Sequence, residues 1–305
     1  MSIEIRKAES PEIRKHIRVV QKMTSGMGFD EKMGNVNWRA VRLISGLGCR
    51  LMPKEKGVRF KRLRADGLSF EIAIPDKILS KNIIVYIHGG GFVSGSAVSS
   101  RGYSSMLCAY SGCRVIAVDY SLAPEKPFPY GFNDCCLIVE RIAEKLPKAK
   151  IALVGESAGG NLCVGLGLKY ANKISSVTVH SPFMDFTGKL DRTEHKIRDF
   201  TVKIGCLKPL NEIYVVKNSA DDPYISPVFG DFAGFPPTFI TCDANETLFA
   251  DSIWLYRKLK GLGIAVKMIE MRGAFHAFST IGTGSPETKL ILKENIEFIR
   301  SAFKK

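Results

Sequence analysis

Ile151-Ala152-Leu153-Val154-Gly155-Glu156-Ser157-Ala158-Gly159-Gly160 is the stretch on which the fold turns. Four apolar residues predict a short buried strand, and Asn161 to Tyr170 predicts a helix after it. Between them lies Gly-x-Ser-x-Gly. A sharp strand-to-helix turn lifts a serine hydroxyl clear of a sheet, and glycines on both sides let neighbouring backbone approach closely. Ser157 is therefore a candidate nucleophile on a nucleophile elbow. Turns of this kind also bind phosphates or merely connect elements, so the rest of the chain must decide.

Upstream, the apolar run Ile83-Ile84-Val85-Tyr86-Ile87 ends in His88-Gly89-Gly90-Gly91. Acyl transfer builds negative charge on a carbonyl oxygen, and glycine backbone can aim N–H donors at it without a side chain in the way. Gly90, Gly91 and the N–H of Ala158 are the expected oxyanion donors. Alone, the HGGG loop would be a tight turn after a buried strand; paired with the elbow it gains a chemical purpose. The remaining partners of a hydrolase, an acid and then a histidine, are sought towards the C-terminus. Only His195 and His276 follow His180. His195 sits in the charged stretch Lys189 to Asp199 and reads as solvated surface. His276 lies in Arg272-Gly273-Ala274-Phe275-His276-Ala277-Phe278, after the strand-like Ala265 to Met271, and is the expected general base. For the acid, Pro237 to Ser252 offers Asp243, Glu246 and Asp251. Either carboxylate type can orient an imidazole, so chemistry alone does not choose.

These motifs, with Val118-Asp119-Tyr120-Ser121-Leu122-Ala123-Pro124-Glu125-Lys126-Pro127-Phe128-Pro129 and Tyr224-Ile225-Ser226-Pro227-Val228-Phe229, resemble the hormone-sensitive-lipase-like esterases of the α/β-hydrolases from about Ile83 onward. The resemblance implies that Glu246-Thr247-Leu248-Phe249-Ala250-Asp251-Ser252 is the glutamate form of the family's acid motif. That places the triad acid at Glu246, with Asp243 as runner-up and Asp251 flanking the next helix. Glu156 and Ser121 depart from the family, which more often has Asp and Arg there. The first is expected to make an elbow-stabilising hydrogen bond, and the second to remove one supporting salt bridge.

Length and pattern agree with one α/β domain. A chain of 305 residues, 45% hydrophobic, can bury a large core. Short apolar runs at Ile83 to Ile87, Val115 to Asp119, Ile151 to Gly155, Val177 to His180, Phe239 to Cys242 and Val266 to Met271 predict a mostly parallel sheet flanked by helices, which Phe70 to Ile74 would begin. Ser10-Pro11-Glu12 predicts a helix start ahead of Ile13, Ile17 and Val20. A second helix is expected near Asn37 to Ser45, and a C-terminal one from about Ser285 to Phe303. In the resembled family such N-terminal helices join an insertion to form a helical cap, here about residues 1–55 and 183–219.

The formal charge is +14, and residues 1–64 carry 16 Lys and Arg against 6 Asp and Glu, an excess of ten. These residues are mixed with apolar and acidic ones and match no nucleic-acid motif, so a solvated cap face is expected. The eight cysteines form no CxxC and no disulfide framework, and read as buried thiols of a reducing compartment with no zinc site. The start lacks the apolar core of a signal peptide, and no run of 18 apolar residues occurs. The expectation is a cytoplasmic serine carboxylesterase acting on small esters of short to medium acyl chains, needing no cofactor or metal, binding no nucleic acid, not inserted in a membrane, and of open oligomeric state. Deacetylation of a sugar or arylamide would use the same residues. A receptor on this fold, as in the plant gibberellin receptors, is disfavoured because those lack the catalytic histidine.

Overall fold

The computed structural model describes residues 2–24, 30–43, 53–193, 197–281 and 284–304. Its centre is a nine-stranded sheet in the order β1-β9-β8-β7-β6-β4-β5-β3-β2. The strands are β1 (Glu4–Lys7), β2 (Val58–Ala65), β3 (Leu68–Pro75), β4 (Ile83–Ile87), β5 (Arg114–Asp119), β6 (Ile151–Glu156), β7 (Ile174–His180), β8 (Thr238–Asp243) and β9 (Val266–Arg272). β2 and β3 run antiparallel at one edge, as do β3 and β5; every other pairing is parallel.

β4 shows why the predicted runs become central strands. All five of its residues are buried. Ile83, Val85 and Ile87 point into one core, and Ile84 and Tyr86 into the other, as the two-residue period of a strand requires. The long helices are α1 (Pro11–Thr24), α2 (Arg101–Ser111), α3 (Tyr130–Lys145), α4 (Ala158–Lys169), α5 (Phe249–Gly261) and α6 (Pro286–Lys304). α2 and α6 cover the face of Ile84 and Tyr86, and α3, α4 and α5 cover the other. A short helical stretch covers 38–43; the rest of the helix expected there lies outside the described residues.

The N-terminal region departs from expectation. Phe70 to Ile74 does not begin the sheet. Residues 4–7, assigned to a cap by the sequence, instead form β1, paired in parallel with β9, and Val58–Ala65 forms the opposite edge, β2. The basic residues are correspondingly divided. Arg14, Lys15, Arg18 and Lys22 lie exposed on α1, whereas Arg59, Lys61, Arg62 and Arg64 lie exposed on β2. Charged side chains on an outer strand discourage pairing with a further chain. α1 begins as predicted, with the Ser10 hydroxyl oxygen accepting the Ile13 N–H at 3.0 Å. Its root is tied down further, because Glu287 accepts the Ser10 N–H at 2.9 Å and its hydroxyl at 2.7 Å.

Asp251 lies within the first turn of α5 rather than flanking it, and pairs across the fold. It accepts Arg192 Nε at 2.8 Å and Nη2 at 2.7 Å, both side chains being almost wholly buried. It also accepts the Met184 N–H at 2.7 Å. Burial opposes the guanidinium charge, and Asp251 more than offsets it, so the Arg192 pKa is raised. Breaking such a pair strands a buried carboxylate. Arg192→Ala is expected to destabilise the fold by about 3 kcal/mol, read as a lower urea midpoint at unchanged slope. The double replacement Arg192→Met, Asp251→Leu should recover most of that loss, and an unmoved midpoint in the single variant would show that the pair contributes nothing.

Candidate active site

Four loops at the C-terminal edge of the sheet build the site, the edge at which parallel sheets place their ligands. The elbow follows β6. Ser157 has φ 53° and ψ −119°, a region a side chain occupies only when its surroundings hold it there. Its N–H donates to the His180 carbonyl at 2.9 Å, and its own carbonyl accepts Phe183 N–H at 3.2 Å. The glycines answer to contact: a Cβ on Gly159 would stand 2.1 Å from the Ile87 carbonyl oxygen, and one on Gly155 2.5 Å from the Gly159 oxygen.

The loop after β4 carries Gly90 (φ 108°) and Gly91 (φ 59°). Glu156 ties it to the elbow, accepting the Gly89 N–H at 2.8 Å with one oxygen and the Tyr86 hydroxyl with the other. This is the elbow hydrogen bond expected of Glu156, and Tyr86 is a partner that the sequence did not announce. Burial outweighs both bonds and raises the Glu156 pKa to about 7. Ala158 opens α4, where the first N–H groups lack partners within the helix. Gly90, Gly91 and Ala158 line the same cavity as Ser157.

His276, on the loop after β9, is buried with its Nδ1 3.6 Å from Glu246 Oε2. That is an electrostatic contact rather than a full hydrogen bond. Burial lowers the histidine pKa, but Glu246 more than compensates, and the net shift is upward. Burial also raises Glu246, against the pull of His276 and the hydroxyl of Ser181. Ser181, missed by the sequence reading, donates to Glu246 Oε2 at 2.8 Å and accepts the Ala277 N–H at 3.0 Å. It bridges the acid to the histidine loop; its only advance signal is its place just beyond β7.

Asp243 faces elsewhere. Its oxygens accept the N–H groups of Asn245 at 2.9 Å and Ala274 at 2.7 Å, so it fastens the backbone of the loop that carries His276. His195 lies outside the described residues. Among the described residues no cluster of three or more His, Cys, Asp or Glu suits a metal ion, and the seven described cysteines are free and buried.

Ser157 and His276 open into one cavity of about 250 Å³. Val20, Phe92, Phe183, Val202, Leu210 and Leu248 supply apolar walls, so α1 and the 183–219 segment both contribute. Aromatic stacking stiffens this wall: Phe92 lies on Tyr214 at 3.9 Å between ring centroids, and Tyr214 on Phe186 at 5.5 Å. A serine on a sharp turn, a carboxylate-backed imidazole and a glycine loop, all on one cavity, are the parts that acyl transfer requires.

The family pattern described as alpha/beta hydrolase fold matches residues 84–280. An esterase of Acinetobacter venetianus is 28% identical over 274 residues, covering 88% of this chain and 90% of its own. The versiconal hemiacetal acetate esterase of Emericella nidulans is 33% identical over 226 residues, covering 69% and 78%. The crystal structure of an esterase from the bacterial hormone-sensitive lipase family superposes with a TM-score of 0.85 at 25% identity, covering 97% of this chain and 99% of that one. No helix among the described residues is long and apolar enough to cross a membrane.

Proposed function

Because this chain belongs to the α/β-hydrolase-fold family, we propose that it is a serine carboxylesterase of the hormone-sensitive-lipase-like branch, cleaving small esters through an acyl-enzyme on Ser157. One observation carries the mechanism: Ser157, His276 and the glycine loop line a single apolar cavity. In the mechanism, Ser157 Oγ attacks the ester carbonyl while His276 takes its proton and Glu246 holds the resulting imidazolium. The oxyanion forms against the N–H groups of Gly90, Gly91 and Ala158, in a space from which the walls exclude water. The proton passes from His276 to the leaving alkoxide. Water, deprotonated by the same histidine, then releases the acyl group. α1 and the 183–219 segment act as the cap, and the buried thiols suit a reducing cytoplasm.

The test is hydrolysis of p-nitrophenyl esters from acetate to laurate, with a fluorophosphonate label to locate the reactive serine. Turnover is expected to be highest for short to medium acyl chains, in keeping with a cavity of about 250 Å³, and the label is expected on Ser157. A laurate optimum would refute the small-ester assignment, and a label on any other residue would refute the mechanism.

A further inference from the structure

Residues 198–202 and the turn that carries Glu246 are stitched together bond by bond. The Arg198 N–H donates to the Asn245 carbonyl at 2.8 Å, the Thr247 N–H to Asp199 Oδ2 at 3.0 Å, and the Thr247 hydroxyl to the Val202 carbonyl at 2.6 Å. Asn245 and Thr247 stand on either side of the acid in the chain, so its turn is held on both flanks by a separate stretch of chain. Thr201 and Val202, on the other side of these bonds, line the cavity of Ser157 and His276.

Asp199 ties the two together. It is buried. Its Oδ1 accepts the Thr201 N–H at 2.8 Å, the Thr201 hydroxyl at 2.6 Å and the Val202 N–H at 3.0 Å, while Oδ2 takes the Thr247 N–H. One carboxylate therefore fixes a wall of the cavity with one oxygen and the acid's turn with the other. Bonds to a charged acceptor are stronger than neutral ones, and Thr247 is wholly buried, so its N–H would be stranded without this partner. The charge acts further as well. Burial disfavours a charged His276, whereas Glu246 first, then Asp199 and Glu156, favour it. Burial also raises Glu246, and Asp199 adds to that by crowding it with a second negative charge. Both effects are relieved when the imidazole takes the serine proton, so a charge at Asp199 favours the imidazolium of the reaction over the resting neutral ring. Of the other charges around His276, Asp243 is engaged with the loop backbone, the cations of α1 are exposed, and Lys203 Nζ donates to the Asp199 carbonyl at 2.6 Å.

We propose that Asp199 is a positioning residue of the acyl-transfer site: it holds the Glu246 turn in place and lends its negative charge to the His276 imidazolium, so that the cavity wall and the triad acid work as one piece. This rests on the ester-hydrolase assignment above and deepens it. A substrate packed against Thr201 and Val202 bears on the same carboxylate that steadies the acid, and a change in this wall is felt in kcat as well as in KM.

The experiment follows Asp199→Asn and Asp199→Glu with p-nitrophenyl butyrate across pH, beside thermal melts, and titrates the His276 imidazole by ¹⁵N NMR in the Ser157→Ala background. Asparagine keeps the size but has one acceptor oxygen where two are used, and it carries no charge. It is expected to lower kcat roughly tenfold to a hundredfold and to move both the acid limb of the rate and the imidazole titration to lower pH. A residue that merely braced the fold would lower the melting temperature and leave both titrations in place. Glutamate keeps the charge on a longer arm that cannot meet Thr247 and Thr201 in the same way, so kcat is expected to fall while the titrations stay near the wild-type midpoint. Wild-type kcat in Asp199→Asn, or an unmoved imidazole titration, overturns the proposal and leaves the esterase standing. Should the asparagine variant fail to fold, Asp199→Glu decides, since wild-type kcat there overturns the proposal equally. Silence of the wild type on every p-nitrophenyl ester overturns the esterase assignment itself, and the imidazole titration, which needs no turnover, keeps the two failures apart.

Discussion

Ser157→Ala is expected to yield a folded protein whose kcat has fallen by roughly 10⁴- to 10⁶-fold. The proposed mechanism has one nucleophile, and neither the amides of the glycine loop nor the imidazole can form the acyl-enzyme in its place. The fold should survive because the elbow is held by its backbone. The Ser157 N–H bonds to the His180 carbonyl, and its own carbonyl accepts Phe183 N–H and Asn161 N–H; alanine keeps all three. Ser157→Gly sharpens the test. At φ 53° and ψ −119° a side chain is strained by about 1–3 kcal/mol, and glycine is not. The glycine variant should therefore be as inactive as the alanine variant yet melt at a higher temperature, since relief of strain exceeds glycine's unfolded-state entropy of about 0.5–1 kcal/mol. Thermal melts beside p-nitrophenyl ester assays check both statements. Residual activity within tenfold of wild type in either variant would remove Ser157 from the mechanism.

Glu246→Gln is expected to lower kcat by about 10⁴-fold, and Asp243→Asn by less than tenfold. The difference follows from where the two carboxylates point. Glu246 stands 3.6 Å from His276 Nδ1; an amide there can neither stabilise the imidazolium nor enforce the tautomer. Asp243 grips the Ala274 and Asn245 N–H groups, so its amide variant loosens the loop and should show chiefly as lost thermal stability. The pH profile separates these causes. A general base works only when neutral, and the His276 pKa is raised above 6.5 by Glu246. Activity of the wild type is therefore present at high pH and lost as pH falls through a midpoint above 6.5. In Glu246→Gln the raising influence is gone while burial remains, so the midpoint of the residual rate moves to lower pH. Asp243→Asn keeps the wild-type midpoint. A 10⁴-fold loss in Asp243→Asn, with the acid limb displaced, would exchange the two assignments.

The central strands were legible because burial on both faces favours uninterrupted apolar residues; Ile83 to Ile87 and Ile151 to Val154 are too short for a buried helix and end at glycine turns, as strands inside a sheet do. β1 and β2 were not legible for the converse reason. An outer strand has a partner on one side only, and Lys7, or Arg59, Lys61, Arg62 and Arg64, read as solvated chain because they are exposed, while Glu4 and Arg6 are half-buried in an ion pair that only the folded chain completes. Within the site, the elbow and the glycine loop follow from local backbone demands that few residues meet. The acid did not. Asp243 and Glu246 sit three residues apart, and only the turn that brings Glu246 N–H to the Asp243 carbonyl at 3.3 Å decides which faces the imidazole. Ser181 and Tyr86 act through contacts that exist only once distant segments have closed together, and their immediate neighbours in the chain give no sign of it.

α1 is fastened most firmly at its root: β1 is hydrogen-bonded to β9, Ala8 N–H continues to the Arg272 carbonyl at 2.9 Å, and Glu287 grips Ser10. Val20 and Thr24, at the far end, line the cavity that holds Ser157 and His276, where the Thr24 hydroxyl reaches the Phe200 carbonyl at 3.4 Å. Ser157 and Glu246 stand beyond strands on which this helix does not pack, whereas its Ile13 and Val20 share a core with Phe275 and Phe278 beside His276. Such a layout separates inheritance of the reaction from inheritance of the diet. Point changes at Thr24 can redraw what is admitted while the bond-breaking apparatus passes on unaltered, so a lineage of such proteins can diversify its substrates at one helix tip.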